Sequence, residues 1–162
     1  MTAYAANRLN QYAAVTNSAN SASPRETLFS YDADGNMLTN GPWAYTWDAE
    51  NRLASVMSNS VLMVTNVYDH IGRRIKKVSR GGAESAEFLY DGWNVIREVR
   101  SQNSGVSTNY YTWGMDLSGT QQGAGGVGGL LSVTTVGPNS PTVYYPTYDA
   151  NGNITRVKGV VI

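Results

Sequence analysis

The sequence predicts an all-β fold of stacked antiparallel hairpins, and three observations carry that prediction. The first is a short phrase repeated along the chain: an aromatic residue, aspartate, two variable residues, then glycine or asparagine and an apolar-flecked stretch. The second is composition. Eleven tyrosines, four tryptophans and seventeen glycines stand against two phenylalanines among 162 residues, which suits half-wet pleated surfaces punctuated by turns. The third is that helical periodicity is nearly absent. Residues Thr2 to Asn17 hold helix-tolerant alanines, yet strand is the better reading there too.

The phrase reads "SYDADGNML" from Ser30, "TWDAENRLASV" from Thr46 and "VYDHIGRRIKKV" from Val67. It returns as "LYDGWNVIREV" from Leu89 and "TYDANGNITRV" from Thr147. Within each copy the aspartate and the residue three places on form a pair. The pairs are Asp32 and Gly35, Asp48 and Asn51, Asp69 and Gly72, Asp91 and Asn94, and Asp149 and Gly152. A type I turn favours aspartate first and glycine fourth, and the carboxylate can accept backbone N–H bonds from two residues on. The fourth residue then takes a left-handed conformation, which glycine adopts freely and asparagine tolerates. All five pairs are therefore expected to be turns that reverse one strand into the next.

Aromatics recur two apart before these turns, as Phe29 and Tyr31, Tyr45 and Trp47, Phe88 and Tyr90, and Tyr111 and Trp113. A spacing of two puts both on one face of a strand. After the turn, apolar residues fall at Met37, Leu53, Ile96 and Ile154, with Val56, Val99 and Val157 three further on. That odd interval cannot keep both on one face, so it requires either a bulge or a strand buried on both sides. The leading aromatics Tyr31, Trp47, Tyr68, Tyr90, Trp113 and Tyr148 lie 16, 21, 22, 23 and 35 residues apart. Such a unit is two short strands and two turns. A lone hairpin is marginal in water, so pairing and aromatic stacking between successive hairpins must support it.

The organisation follows from these units. Residues 1–15 read as a degenerate opening repeat, "YAANRLNQY" within them, and 16–27 as a polar linker. Residues 28–113 carry repeat hairpins, with "SRGGAESAE" and "RSQNSGVSTN" as connections. Residues 114–162 hold a glycine-rich segment, in which "DLSG" is another aspartate-led turn, and the final repeat. At this size a chain folding alone would bury about 68–70% of its unfolded surface.

Charge narrows the function classes. Twelve basic and twelve acidic side chains cancel, which argues against nucleic acid or an anionic membrane as main partner. The locally basic "GRRIKK" (Gly72 to Lys77) reads as a solvated strand face. No cysteine is present, so there is no disulfide framework and no thiolate metal site. No apolar run approaches the ~18 residues of a membrane span, and the N-terminus lacks the pattern of a secretory signal.

Candidates for chemistry have simpler explanations. "GAGGVG" (Gly123 to Gly128) matches a dinucleotide fingerprint, but it runs into the strand-like "LLSVTTV" instead of a helix whose N-terminus would face a pyrophosphate. "DADGN" and "DANGN" lack the sixth-position glycine and twelfth-position glutamate of a calcium loop. His70, the only histidine, falls in a turn interior, and Asp32 and Asp34 share a turn where paired carboxylates of a hydrolase would face a cleft. The "NIT" sequon at Asn153 overlaps the repeat. Neither a catalytic residue, a metal nor a cofactor is expected. Exposed Trp43 or Trp93 could stack on sugar rings, whereas most aromatics are expected to pack between hairpins.

These phrases resemble the tyrosine–aspartate (YD) repeat of the bacterial rearrangement-hot-spot (RHS) family, over Tyr4 to Val157. The segment "YTWGMDLSGTQQGAGGVGGLLSV" resembles the entry to that family's repeat-associated core. The resemblance implies a curved β-strip forming part of a hollow shell, in a large secreted or surface polypeptide that encloses a C-terminal toxin. It implies neighbouring repeats as partners, with an enclosed toxin or a cell-surface glycan as further ones. The sequence stops before the proline- and aspartate-containing signature at which family shells are cut, so no catalytic residue carries over. What the resemblance transfers is structural: Tyr31, Asp32, Gly35, Trp47, Asp48, Asn51, Tyr68, Asp69, Gly72, Tyr90, Asp91, Asn94, Tyr148, Asp149 and Gly152.

Overall fold

A computed structural model describes residues 2–17 and 25–162. Every regular element among them is a β-strand, save one 3₁₀ turn at Arg80–Gly82. The strands are β1 (Thr2–Ala6), β2 (Tyr12–Asn17), β3 (Arg25–Tyr31), β4 (Met37–Asn40), β5 (Trp43–Trp47), β6 (Leu53–Ser58) and β7 (Val61–Tyr68). They continue as β8 (Arg74–Ser79), β9 (Glu84–Asp91), β10 (Asn94–Gln102), β11 (Gly105–Trp113), β12 (Leu130–Val136), β13 (Thr142–Tyr148) and β14 (Ile154–Val161). The chain divides into two compact units, 1–66 and 67–162. In both, strand order is chain order and the pairings are antiparallel. Because every strand pairs with its chain neighbours, all the aspartate-type turns of a unit lie along one edge of its sheet. The remaining described connections lie along the other.

The centre of the predicted linker, residues 18–24, lies outside the described residues, while Thr16 and Asn17 belong to β2 and Arg25 to Thr27 to β3. The two other predicted connections are much shorter than their polar sequences suggested. Only Arg80 to Ala83 separate β8 from β9, and only Asn103 and Ser104 separate β10 from β11. Serine, asparagine and glutamate are tolerated in these strands because both faces of the sheet meet solvent.

The odd interval after the Asp32, Asp48, Asp91 and Asp149 turns is a bulge. Ser30 pairs with Thr39 but Tyr31 with Met37, and Thr46 pairs with Ser55 but Trp47 with Leu53. Thr147 pairs with Arg156 but Tyr148 with Ile154. One residue of the returning strand is skipped each time, opposite the leading aromatic. The extra residue flips the inward set, so Leu53 and Val56 can both be apolar at a spacing of three.

No apolar side chain among the described residues is fully buried, and Leu28, Leu89, Trp93, Val106 and Val161 are all well exposed. The buried side chains are Asn94, Glu98 and Asp116. Each unit is thus a sheet without a hydrophobic core, and the burial fraction expected of a globular domain of this length does not apply. What replaces a core is found at the turns.

Candidate functional site

Four of the five predicted turns share one geometry. Gly35, Asn51, Gly72 and Gly152 have φ of +88°, +59°, +88° and +77°. Their amides donate to the carbonyls of Asp32, Asp48, Asp69 and Asp149 at 3.0–3.2 Å. Each aspartate Oδ1 accepts two backbone amides, two and four residues on. For Asp32 these are Asp34 at 3.0 Å and Asn36 at 2.8 Å; for Asp149 they are Asn151 and Asn153, both at 2.9 Å. Oδ2 then accepts a side-chain N–H from the residue four on. That donor is Asn36 (2.9 Å), Arg52 (2.7 Å), Arg73 (2.7 Å) or Asn153 (3.0 Å). The bond from Asn36 and the two backbone amides hold the Asp32 carboxyl below its ordinary range, and Asn153 does the same for Asp149.

The Asp91 copy departs from this pattern. Asp91 and Asn94 pair directly across a two-residue loop, Gly92–Trp93, in which Gly92 has φ +55°. Asn94 does not take the left-handed conformation predicted for it and is 7% exposed. Four residues past the aspartate stands Val95, which has no side-chain N–H to give Oδ2. Conversely, Asn7 builds the same turn without aspartate. Its Oδ1 accepts the amides of Leu9 and Gln11, its amide donates to Gln11 Oε1, and Asn10 has φ +60°.

The leading aromatics act through their polar tips. Tyr31 donates to the carbonyl of Tyr12 (3.1 Å), Trp47 to Met37 (2.8 Å) and Tyr90 to Arg74 (2.9 Å). Trp113 donates to Val95 (2.7 Å) and Tyr148 to Leu130 (2.7 Å). Each acceptor lies at the turn end of the preceding strand, beyond the last paired residue. The β4–β5 ladder, for example, stops at Thr39, and the β12–β13 ladder at Val133. Successive hairpins therefore part towards the turn edge, leaving carbonyls that the ladder cannot satisfy. Tyrosine and tryptophan fill the gap with an apolar ring and finish it with a donor, which phenylalanine could not. Stacking between hairpins was expected instead, but the ring pair that the structure shows, Tyr4 and Tyr12 at 5.4 Å, lies within one hairpin.

A second set of bonds runs from turn to turn along the edge. Gln11 donates to the Gly35 carbonyl (3.1 Å), Asn36 to Asn51 Oδ1 (2.7 Å), and Arg73 to the Gly92 carbonyl. The Arg73 guanidinium also stands 5.0 Å over the Tyr90 ring. Residues four past the turn acid thus serve their own turn and reach the next.

In the second unit this edge carries a clasp that the sequence did not mark. Asp116 closes the "DLSG" turn by accepting the Ser118 amide (2.9 Å) and hydroxyl (2.6 Å) on Oδ1. Its Oδ2 accepts the amides of Ala124 (2.7 Å) and Gly126 (3.1 Å) from the glycine-rich loop. The Ser118 bond first, with the backbone amides, holds this carboxyl at about 2. The loop then docks on the neighbouring hairpin, where Gln122 accepts the Trp93 amide (3.1 Å) and donates to the Asp91 carbonyl (2.9 Å). Gly152 is buried against Val127 and Leu117, where a Cβ would come within 2.6 Å of Val127 Cγ1. The "GAGGVG" run is thus packed against protein, and two of its amides, those of Ala124 and Gly126, point to Asp116.

The other buried carboxylate, Glu98, stands on β10. Its oxygens accept Arg100 Nε (2.8 Å), Asn109 Nδ2 (3.1 Å) and the Tyr111 hydroxyl (2.8 Å). Burial raises its pKa, but these three bonds outweigh it and the net direction is down. Burial, then the bond to Glu98, pushes the Tyr111 phenol up to about 12. His70 is an exposed turn residue, and no group of metal-binding side chains occurs among the described residues.

The repeat geometry finds its counterpart among known proteins. The family model described as Teneurin YD-shell matches residues 5–112. This chain belongs to the YD-shell family. Among curated YD-repeat relatives, the tRNA3(Ser)-specific nuclease WapA of Bacillus spizizenii is 32% identical over 130 residues, 79% of this chain. The tRNA nuclease WapA of Bacillus subtilis is 37% identical over 89 residues, 52% of the chain. The chain spans only 5% and 4% of those two proteins. Of solved structures, the TcdB2-TccC3-Cdc42 crystal structure superposes with a TM-score of 0.67 at 13% identity, over 93% of this YD-shell chain and 9% of that one. The TcdB2-TccC3-TEV crystal structure gives the same TM-score over 98% of the chain. These two likenesses speak to the fold.

Proposed function

We propose that this chain is a non-catalytic section of wall in a large extracellular or surface-displayed polypeptide, whose β-shell encloses a C-terminal toxin or effector. The observation that carries the reading is that hairpins are joined to hairpins by side-chain bonds, while no apolar core is buried among the described residues. Such units are stable in a row, and each added neighbour covers one more open strand. The membership of the YD-shell family and the nuclease relatives, of which the chain covers a small share, support it. Nuclease activity belongs to those proteins as wholes and is not assigned to these residues. The domain bounds 1–15, 16–27, 28–113 and 114–162 and the fifteen repeat residues belong to the same proposal, with Asp91 and Asn94 in the altered role described above.

The test is limited proteolysis with electron microscopy of the complete polypeptide that carries this segment. A closed shell and a C-terminal domain resistant until the wall is cut support the proposal. A C-terminal domain cut as fast as an unenclosed one overturns it. A second reading, adhesion to cell-surface glycan, rests on Trp93, which is 62% exposed in its turn. Glycan-array binding that disappears in Trp93→Ala favours it over the first.

A further inference from the structure

We propose that the aromatic-bearing face of β8–β10 holds an oxyanion site, built for a carboxylate or phosphate group. A cavity of about 310 Å³ opens there, lined among others by Arg74, Lys77, Arg100, Glu84, Glu98 and Phe88, which is within the size range of small-molecule pockets. The register puts these side chains together: Glu98 lies opposite Phe88, and Arg100 opposite Ala86, which in turn lies opposite Lys77.

Both carboxylates of the lining are already neutralised. Glu98 is 3% exposed and saturated by Arg100, Asn109 and Tyr111, while Glu84 pairs with Arg80 at 3.3 Å and takes a bond from Ser79. Two of the three cations are not. Among the described residues, Lys77 has no carboxylate partner. Arg74 has the Phe88 ring beneath its guanidinium at 5.7 Å and no carboxylate partner. Arg100 gives Nε to Glu98, which fixes its plane and leaves its terminal nitrogens as a fork. Three cationic side chains with spare donors thus line one cavity, and Glu98 orients Arg100. Charge-assisted bonds from such a fork and an ammonium are what bind an oxyanion.

The experiment is a two-dimensional NMR titration of the full chain with inorganic phosphate and, separately, with malonate. Saturable shifts of the Lys77, Ser85 and Gln102 amides are expected with at least one of them, and which probe saturates tells phosphate from carboxylate. Arg74→Gln with Lys77→Gln is expected to weaken binding about tenfold or more, the loss of at least one charge-assisted bond. Lys76→Gln, whose native partner Glu87 lies on the opposite face (2.8 Å), is expected to leave binding unchanged. If the double variant loses spectral dispersion, Lys77→Gln alone carries the comparison. Shifts that fail to saturate with both probes, or binding equally strong without Lys77, overturn the proposal.

Discussion

The Tyr148 hydroxyl donates to the carbonyl of Leu130 at 2.7 Å, beyond the point where β12 and β13 cease to pair at Val133. Tyr144, on the same strand and face, rests its ring against Gly159, and among the described residues its hydroxyl makes no hydrogen bond. The contrast isolates the polar tip from the ring. Tyr148→Phe should cost about 0.5–1.5 kcal/mol, one net hydrogen bond, by urea denaturation. Tyr144→Phe should cost nearly nothing. Equal costs would mean that the ring alone matters.

The turn acids give the chain an acid limit. Asp116 titrates at about 2 against an ordinary 3.8, and Asp32, Asp48, Asp69 and Asp149 are lowered too. A depressed carboxyl stabilises fully above its ordinary value and loses that contribution as pH falls through the folded one. Thermal stability should therefore fall steadily as pH drops from about 4 towards about 2. Asp116→Asn should flatten the lower end of that slope and speed amide exchange at Ala124 and Gly126. A slope unaltered by the substitution would exclude the clasp.

At the alkaline end the sign reverses. Tyr111 is raised from 10.0 to about 12, so its contribution is complete below 10.0 and is lost as pH climbs towards about 12. Glu98→Gln removes the anion facing the phenol and should bring the Tyr111 titration, followed by ring carbon shifts, down towards its ordinary value. No downward movement would show that burial alone raises it and that Glu98 has no part.

Gly72 has φ +88°, a conformation costly for a β-branched residue. Gly72→Val should destabilise by about 1–2 kcal/mol through backbone strain. Chemical denaturation with no loss would contradict the turn assignment.

The turns were readable because their chemistry is local. Aspartate and a glycine or asparagine three on lie within one reversal, and spacing alone identifies them. The Asp91 copy was misread because the deciding residue is one further along, where Val95 replaces the Asn or Arg donors of Asn36, Arg52, Arg73 and Asn153. That polar fourth residue is a signal in the sequence, and with it Asn7 and Gln11, where Gln11 accepts from Asn7, would also have declared a turn. The "DLSG" turn at Asp116 was readable, but its clasp on the glycine-rich loop and the bonds of Glu98 were not. Asp116 binds backbone amides of Ala124 and Gly126, which any residue type supplies. Glu98 meets Asn109 and Tyr111 only through the β10–β11 register, which is set by the lengths of connections that the sequence made too long. The bulge opposite each aromatic was implied by the odd apolar interval, but a doubly buried strand would have produced the same pattern.

The four tryptophans supply the most direct test of the account, because two close gaps between hairpins and two do not. Trp47 and Trp113 donate their indole N–H to the carbonyls of Met37 and Val95, while Trp43 and Trp93 are 38% and 62% exposed and make no such bond. Indole hydrogen exchange followed by NMR resolves all four. Slow exchange at Trp47 and Trp113 with fast exchange at Trp43 and Trp93 is the predicted result. Exchange at Trp47 and Trp113 as fast as at the other two would contradict it.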